Sequence, residues 1–294
     1  MKLIQNVQEM QAAVRSVKQA GRRIALVPTM GALHEGHAVL MRKAREQGAA
    51  VVVSIYVNPT QFGPREDFTK YPRDLEMDGR LCAREKVDAV FAPTDDEMYP
   101  GGVWKEDAVP VAIRGLQFST AVEETVVSHR FEGERRPGHF RGVCTVVAKL
   151  FHVVQPDVAV FGQKDYQQLK VIQRMVRDLG FPVQVVSVPT MRESDGLALS
   201  SRNQYLNPSE RAQATVLWKA LTVAQDLFNQ GEHNAHRLTT AMERVVSLAP
   251  SARLDYAEIA DPETLEPRPE ARRGDVALMA AYVGKTRLID NLIL

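Results

Sequence analysis

Unbroken apolar runs alternate with helix-period stretches along the first two thirds of the chain. The runs are RIALVPT at 23–29, AAVVVSIYV at 49–57, DAVFAP at 88–93, DVAVFG at 157–162 and PVQVVSVPT at 182–190. Between them, 37–48, 72–87, 139–154 and 166–180 carry apolar residues at helical spacing. Strands that are apolar throughout leave no face for water. The alternation therefore predicts an α/β fold, a parallel sheet with helices on both faces. At the N-terminus, Val7, Met10, Val14 and Val17 recur at helical spacing, so residues 1–21 predict a surface helix.

The rhythm changes near residue 191. Two helical stretches follow, 208–231 and 234–249, then an apolar run at 254–260 and a segment at 275–294 that reads as a hairpin turning at VGKT. Helices followed by antiparallel strands predict a smaller α+β domain. The expected division is 1–190 for the larger domain and 191–294 for the smaller one. VGKT (283–286) resembles the end of a phosphate-binding P-loop, but that motif needs a Gly five residues before its second Gly, and position 279 is Met. Segment 101–137 is the least regular part of the larger domain.

Composition narrows the function classes. The chain has 294 residues, enough for one large or two ordinary domains with a sizeable core. Its net charge is +1, so no global basic field exists to hold nucleic acid or an anionic membrane. No apolar run reaches the ~20 residues needed to cross a bilayer, and the N-terminus lacks the apolar core of a signal peptide. The two cysteines, Cys82 and Cys144, have no partners at metal spacing and read as reduced, partly buried thiols of a cytoplasmic protein.

Chemistry gathers where the apolar runs end, and ligands of open parallel sheets bind beyond the carboxyl ends of strands. The first end reads PTMGALHEGH, with His34 and His37 three apart and Gly31 and Gly36 beside them. Glycines let backbone approach a ligand, a helix start offers N–H groups to an anion, and imidazoles donate to phosphate oxygens without fixed charge. The second end carries Asn58, Gln61 and Tyr71, uncharged groups suited to a small polar substrate. The third, FGQKDYQQ, carries Lys164, Asp165 and Gln168, and lysine is a point charge suited to phosphate. The fourth, MRESDGLALSSRNQYL, places Ser200, Ser201 and Arg202 in a loop that could close on a polyphosphate.

H-x-G-H at the first strand end and Ser-Ser-Arg at the last resemble the paired signatures of the HIGH-type nucleotidyltransferase superfamily. Together with VNPTQFG, RPGHFRGV, FGQKDYQQL and DGLALSSRNQYL, they make the whole chain similar to the pantoate–beta-alanine ligase family. That resemblance implies a Rossmann-like catalytic domain, a small C-terminal lid, a homodimer and a cytoplasmic setting. It implies ATP as substrate with Mg²⁺, and formation of pantothenate from pantoate and beta-alanine through a pantoyl adenylate. Met30, Gly31, Ala32, Leu33, His34, Glu35, Gly36 and His37 match an ATP-binding segment, with His37 in the position of the proton donor. Gly162, Gln163, Lys164 and Asp165 match a second ATP segment. Met191 matches a backbone contact to adenine, and Leu199 with Ser200, Ser201 and Arg202 the last ATP loop. Gln61 and Gln168 match the pantoate-binding residues, and Gln61 also lies by beta-alanine. Asp78 is the expected metal ligand. Two departures stand out: 101–137 is longer than the usual connection, and Met77 interrupts the acidic stretch after YPR. Two rival readings remain beside this one, a related enzyme acting on a phosphorylated substrate and a nucleotide-binding regulator without turnover.

Overall fold

A computed structural model describes residues 1–64, 66–102 and 118–294. Part of the irregular 101–137 segment, namely 103–117, therefore lies outside the described residues. Nine strands are present among those described: β1 (Lys2–Ile4), β2 (Ile24–Thr29), β3 (Ala50–Ile55), β4 (Ala89–Phe91), β5 (Val158–Gly162), β6 (Gln184–Val188), β7 (Ala252–Ala260), β8 (Val276–Val283) and β9 (Thr286–Ile293). The helices are α1 (Val7–Gln19), α2 (Glu35–Glu46), α3 (Leu75–Arg84), α4 (Asp95–Met98), α5 (Glu132–Arg135), α6 (His139–Val154), α7 (Tyr166–Leu179), α8 (Pro208–Ala214), α9 (Val216–Asn229) and α10 (Ala235–Ser247). Contacts divide the chain into one unit of 1–161 and 168–188 and a second of 162–167 and 189–294.

The first unit is built on a six-stranded parallel sheet of order β1-β4-β3-β2-β5-β6. Both faces are covered, as the apolar runs predict. Ala25 and Val27 of β2, Val51 and Val53 of β3, and Val158 and Val160 of β5 share one cluster with Met41 and Ala44 of α2 and Cys82 of α3. The alternate residues Ile24, Leu26, Val52 and Ala159 are buried too, on the face that α1 and α6 cover. Each fully buried Val or Leu contributes ~1.5–3 kcal/mol. The chain runs outward from β2 through β3 to β4, then resumes on the other side of β2 with β5 and β6. The reversal lies between β2 and β5, where an open sheet presents its ligand crevice.

The second unit packs α9 and α10 on an antiparallel sheet of order β7-β8-β9. Leu217 and Leu221, Leu238 and Met242, and Met279 of β8 form its centre. VGKT is the β8–β9 hairpin: Val283 pairs with Thr286, and Gly284 sits at φ +58° in the two-residue turn.

Two differences from the sequence pattern have local causes. The N-terminal stretch opens with β1, which pairs with β4, before α1 begins behind the Asn6 cap. The predicted helix 208–231 is two helices, because Thr215 turns its hydroxyl onto the Ala212 carbonyl at 2.9 Å and shares the break. Cys82 and Cys144 are buried free thiols, each pushed up to about 12 by desolvation. No helix among the described residues is long and apolar enough to cross a membrane.

Candidate active site

β2 ends in a backbone conformation that most residues avoid. Gly31 has φ +83° and Ala32 φ +50°, both left-handed. Gly31 is required twice over, since a Cβ there would meet the Asp78 Oδ2 at 2.8 Å. Ala32 tolerates the strain because Asp78 holds it. From α3, the Asp78 carboxylate accepts the Ala32 N–H at 3.0 Å and the Leu33 N–H at 2.7 Å. Asp78 is only 3% exposed, and desolvation raises its pKa against the lowering pull of those two N–H groups.

The strained turn delivers His34 to the N-cap of α2, one turn ahead of His37. The helix starts at Glu35, so His37 lies in its first turn above the buried stripe of Leu40, Met41 and Ala44. The His34 N–H donates to His37 Nδ1 at 3.2 Å. An accepting Nδ1 puts the neutral ring's proton on Nε2, which makes Nε2–H the donor. The two rings lie 4.1 Å apart at 47°. This pair can donate to an anion at the mouth of the helix, where the dipole already favours negative charge.

Gln61 lies in a 3-10 turn, Pro59–Gln61, just after β3. Its amide is oriented from both ends. Asn58 Nδ2 donates to Gln61 Oε1 at 3.1 Å, and Gln61 Nε2 donates to the Met30 sulfur at 2.9 Å. Asn58 is 1% exposed, and its own oxygen accepts the Tyr99 hydroxyl at 2.7 Å, so its task is to hold Gln61 rather than to meet a ligand. Beneath the turn, the Gln61 carbonyl lies 2.9 Å from His139 Nδ1. Arg136 lies 3.1 Å from His139 Nε2 and is gripped by Glu66 at 2.9 and 2.6 Å. α6 comes so close that a Cβ at Gly142 would lie 2.4 Å from the Thr60 carbonyl oxygen. His139, Arg136 and Gly142 are supports that composition and spacing do not mark; RPGHFRGV is visible as a motif, but its task is not. Gln168 is half-buried at the start of α7, in the same unit as Gln61. With β2 between β3 and β5 in the sheet, Gln61 and Gln168 follow the strands that flank the histidine turn.

The remaining predicted residues belong to the second unit. Gly162 precedes a 3-10 turn, Gln163–Asp165, in which Lys164 and Asp165 approach to 3.6 Å. Met191 and Leu199 are neighbours despite their separation, because the Leu199 N–H donates to the Met191 carbonyl at 2.9 Å across a short hairpin. Ser200 then caps the turn Ser201–Tyr205, its hydroxyl accepting the Arg202 N–H at 3.3 Å.

Asp78 fits a metal poorly. Mg²⁺ needs only one or two carboxylates because it leans on water and substrate phosphates, yet both Asp78 oxygens are directed at the loop's N–H groups. Among the described residues no group of three or more His, Cys, Asp or Glu is placed to hold a metal. A cavity of ≈ 260 Å³ in the first unit touches Met30, Gly31 and Asp78, and reaches Tyr56 after β3 and Thr94 after β4.

Comparison with known proteins agrees over the full length. The family model for pantoate-beta-alanine ligase matches residues 2–293. The chain is 50% identical over 294 residues to a pantothenate synthetase from Moorella thermoacetica, covering 100% of this chain and 99% of that one. Its fold matches a crystal structure of pantothenate synthetase from Thermus thermophilus with a TM-score of 0.90 and 46% identity, covering 100% and 99%. It also matches a pantoate-beta-alanine ligase from Francisella tularensis complexed with beta-gamma ATP and beta-alanine, with a TM-score of 0.78 and 32% identity, covering 100% and 97%.

Proposed function

The chain belongs to the pantoate–beta-alanine ligase family, and from that premise we propose that it joins pantoate to beta-alanine at the cost of ATP through a pantoyl adenylate. It is an AMP-forming carbon–nitrogen ligase. In the first half-reaction a pantoate carboxylate oxygen attacks the α-phosphorus of ATP, the bond to the bridging oxygen breaks and pyrophosphate leaves. In the second, the amine of beta-alanine attacks the acyl carbon, AMP leaves and the nitrogen gives up a proton.

The observation that carries this reading is the contact between Gln61 and Met30. It sets an uncharged amide, suited to the hydroxyls and carboxylate of a small acid, against the segment matched to ATP. Attack of a carboxylate on a phosphate requires that adjacency more than it requires a nucleophilic side chain. A phosphorylated second substrate would call for cations there, which disfavours the related-enzyme reading. In this proposal His34 and His37 donate to phosphate oxygens as charge develops, His37 from its Nε2–H, and His37 can hand its proton to the departing group. Lys164, Ser200, Ser201 and Arg202 supply further donors to the triphosphate. Gln61 and Gln168 hold pantoate, and Gln61 then meets beta-alanine. Met191 contributes a backbone contact to adenine. Mg²⁺ enters the proposal as companion of ATP; Asp78 is assigned to the loop and no step is routed through the ion.

We place the enzyme in the cytoplasm as a homodimer with a C-terminal lid, on the strength of the family resemblance; light scattering tests the dimer. The function is tested by AMP release. Release is expected only when ATP, pantoate and beta-alanine are all present, and release with pantoate absent would overturn the assignment.

A further inference from the structure

TRLIDN, residues 286–291, is the stretch that the proposed chemistry leaves without a task. Asp290 and Asn291 lie on β9 and are both buried. A side-chain amide carries two hydrogens, and Asn291 places one on the Gln163 carbonyl at 2.9 Å and the other on the Lys164 carbonyl at 2.8 Å. One side chain thus grips consecutive peptide units of the turn that carries Lys164. Asp290, beside it, receives Arg192 in a two-pronged pair at 2.6 and 2.9 Å. Arg192 also donates to the Gly196 carbonyl at 3.1 Å and to Asn291's own carbonyl at 3.1 Å. Its guanidinium lies 3.7 Å over the Trp218 ring. Trp218 fills the space that a side chain at residue 196 would need, since a Cβ on Gly196 would come within 2.0 Å of it. The hairpin from Met191 to Leu199, which leads directly into Ser200, Ser201 and Arg202, is therefore clamped on the same strand that grips the lysine turn.

We propose that Asn291, backed by Asp290, is a positioning residue that sets the lysine turn and the serine–arginine loop in register with each other, so that their donors meet one triphosphate. Two segments nearly forty residues apart in sequence share a single rigid reference, a buried strand at the sheet edge. Donors aimed at a charge that develops only in the transition state must be placed in advance, and displacement by about 1 Å costs ~10²-fold in rate. The inference rests on the assignment of Lys164 to ATP given above.

The test is pyrophosphate exchange with Asn291→Asp, which keeps the size of the side chain and removes both donors. Exchange should slow by ~10–100-fold, with a higher KM for ATP and a pantoate KM within about twofold of the parent. Asn291→Ser, a gentler change, should give the same split on a smaller scale should the aspartate variant fail to fold. In a Lys164→Ala background, Asn291→Asp should add little, because the residue it positions is already gone. Parent kinetics in a folded Asn291→Asp protein would overturn the inference, as would equal losses for ATP and pantoate or full additivity with Lys164→Ala. Lys164→Ala alone separates the two levels. If it leaves exchange unchanged, the ATP assignment falls and the inference with it; if it slows exchange while both Asn291 variants do not, only the inference falls.

Discussion

Asp78 and Asp290 are both buried aspartates that hold a turn or hairpin in shape, and they do it by opposite means. Asp78 meets no cation in its bonding: its two oxygens accept neutral backbone N–H groups of Ala32 and Leu33 and keep a left-handed turn from relaxing. Asp290 meets the guanidinium of Arg192 with both oxygens and anchors a hairpin through that cation. The first arrangement fixes backbone, the second fixes a side chain that in turn fixes backbone. Loss of the first should be felt as a misshapen loop, loss of the second as an uncompensated buried charge.

The largest effect should follow from Asp290→Ala. Removing one partner of a buried pair costs ~3–5 kcal/mol, so the denaturation midpoint should fall well below that of the parent; a change of under about 1 kcal/mol would mean that Arg192 finds solvent instead. Next come His37→Ala and Lys164→Ala, one donor from each unit. Each should lower turnover by ~10²–10³-fold with the fold intact, and near-parental turnover would remove that residue from the catalytic set. Asp78→Ala should cost less in stability, ~2 kcal/mol in all, because its two orphaned N–H groups are only part-buried and sit at the low end of ~1–3 kcal/mol each, and should raise the KM for ATP. Asp78→Asn, which keeps one accepting oxygen, should fall between. If Asp78→Ala abolished the Mg²⁺ dependence of activity without raising the KM for ATP, the loop-holding role would be wrong. Gln61→Ala should weaken pantoate binding by ~1–3 kcal/mol and leave ATP binding without pantoate nearly unchanged, as read by calorimetric titration. Equal weakening of both would show that Gln61 shapes the whole pocket. The smallest change concerns Cys82 and Cys144. Raised from 9.0 to about 12, their thiolate fraction near pH 8 drops on the order of a thousandfold, and iodoacetamide should leave the native protein unmodified. The sign also sets a stability trend. The unfolded thiols lose their protons first as pH climbs past 9, so their contribution to stability declines between about 9 and 12.

What the sequence reveals here follows from the range of the forces involved. Apolar runs and helical periods report burial, which is local to each segment, and they yield the parallel sheet, α6 to the residue, and the β8–β9 hairpin. The histidine turn is legible because glycines and histidines gather at a strand end. β1 is hidden because three residues, Lys2–Ile4, carry too little pattern to separate from the helix that follows. The break at Thr215 rests on one hydroxyl. The tasks of Asp78, Asn58 and Asn291 are hidden for a different reason: each bonds to groups distant in sequence, 45 residues away for Asp78 and Leu33, and much of that bonding is to backbone, which every residue has. A carboxylate on a helix with acidic neighbours reads as a solvated face or a metal ligand until its partners are seen.

The adenylate is the step on which the proposed function turns, and isotope exchange isolates it. Labelled pyrophosphate should enter ATP in the presence of enzyme, Mg²⁺ and pantoate with beta-alanine left out, because the first half-reaction runs backward from the bound adenylate. Exchange that appears only when beta-alanine is added would mean that acid, amine and ATP react in one concerted event, and would contradict the account.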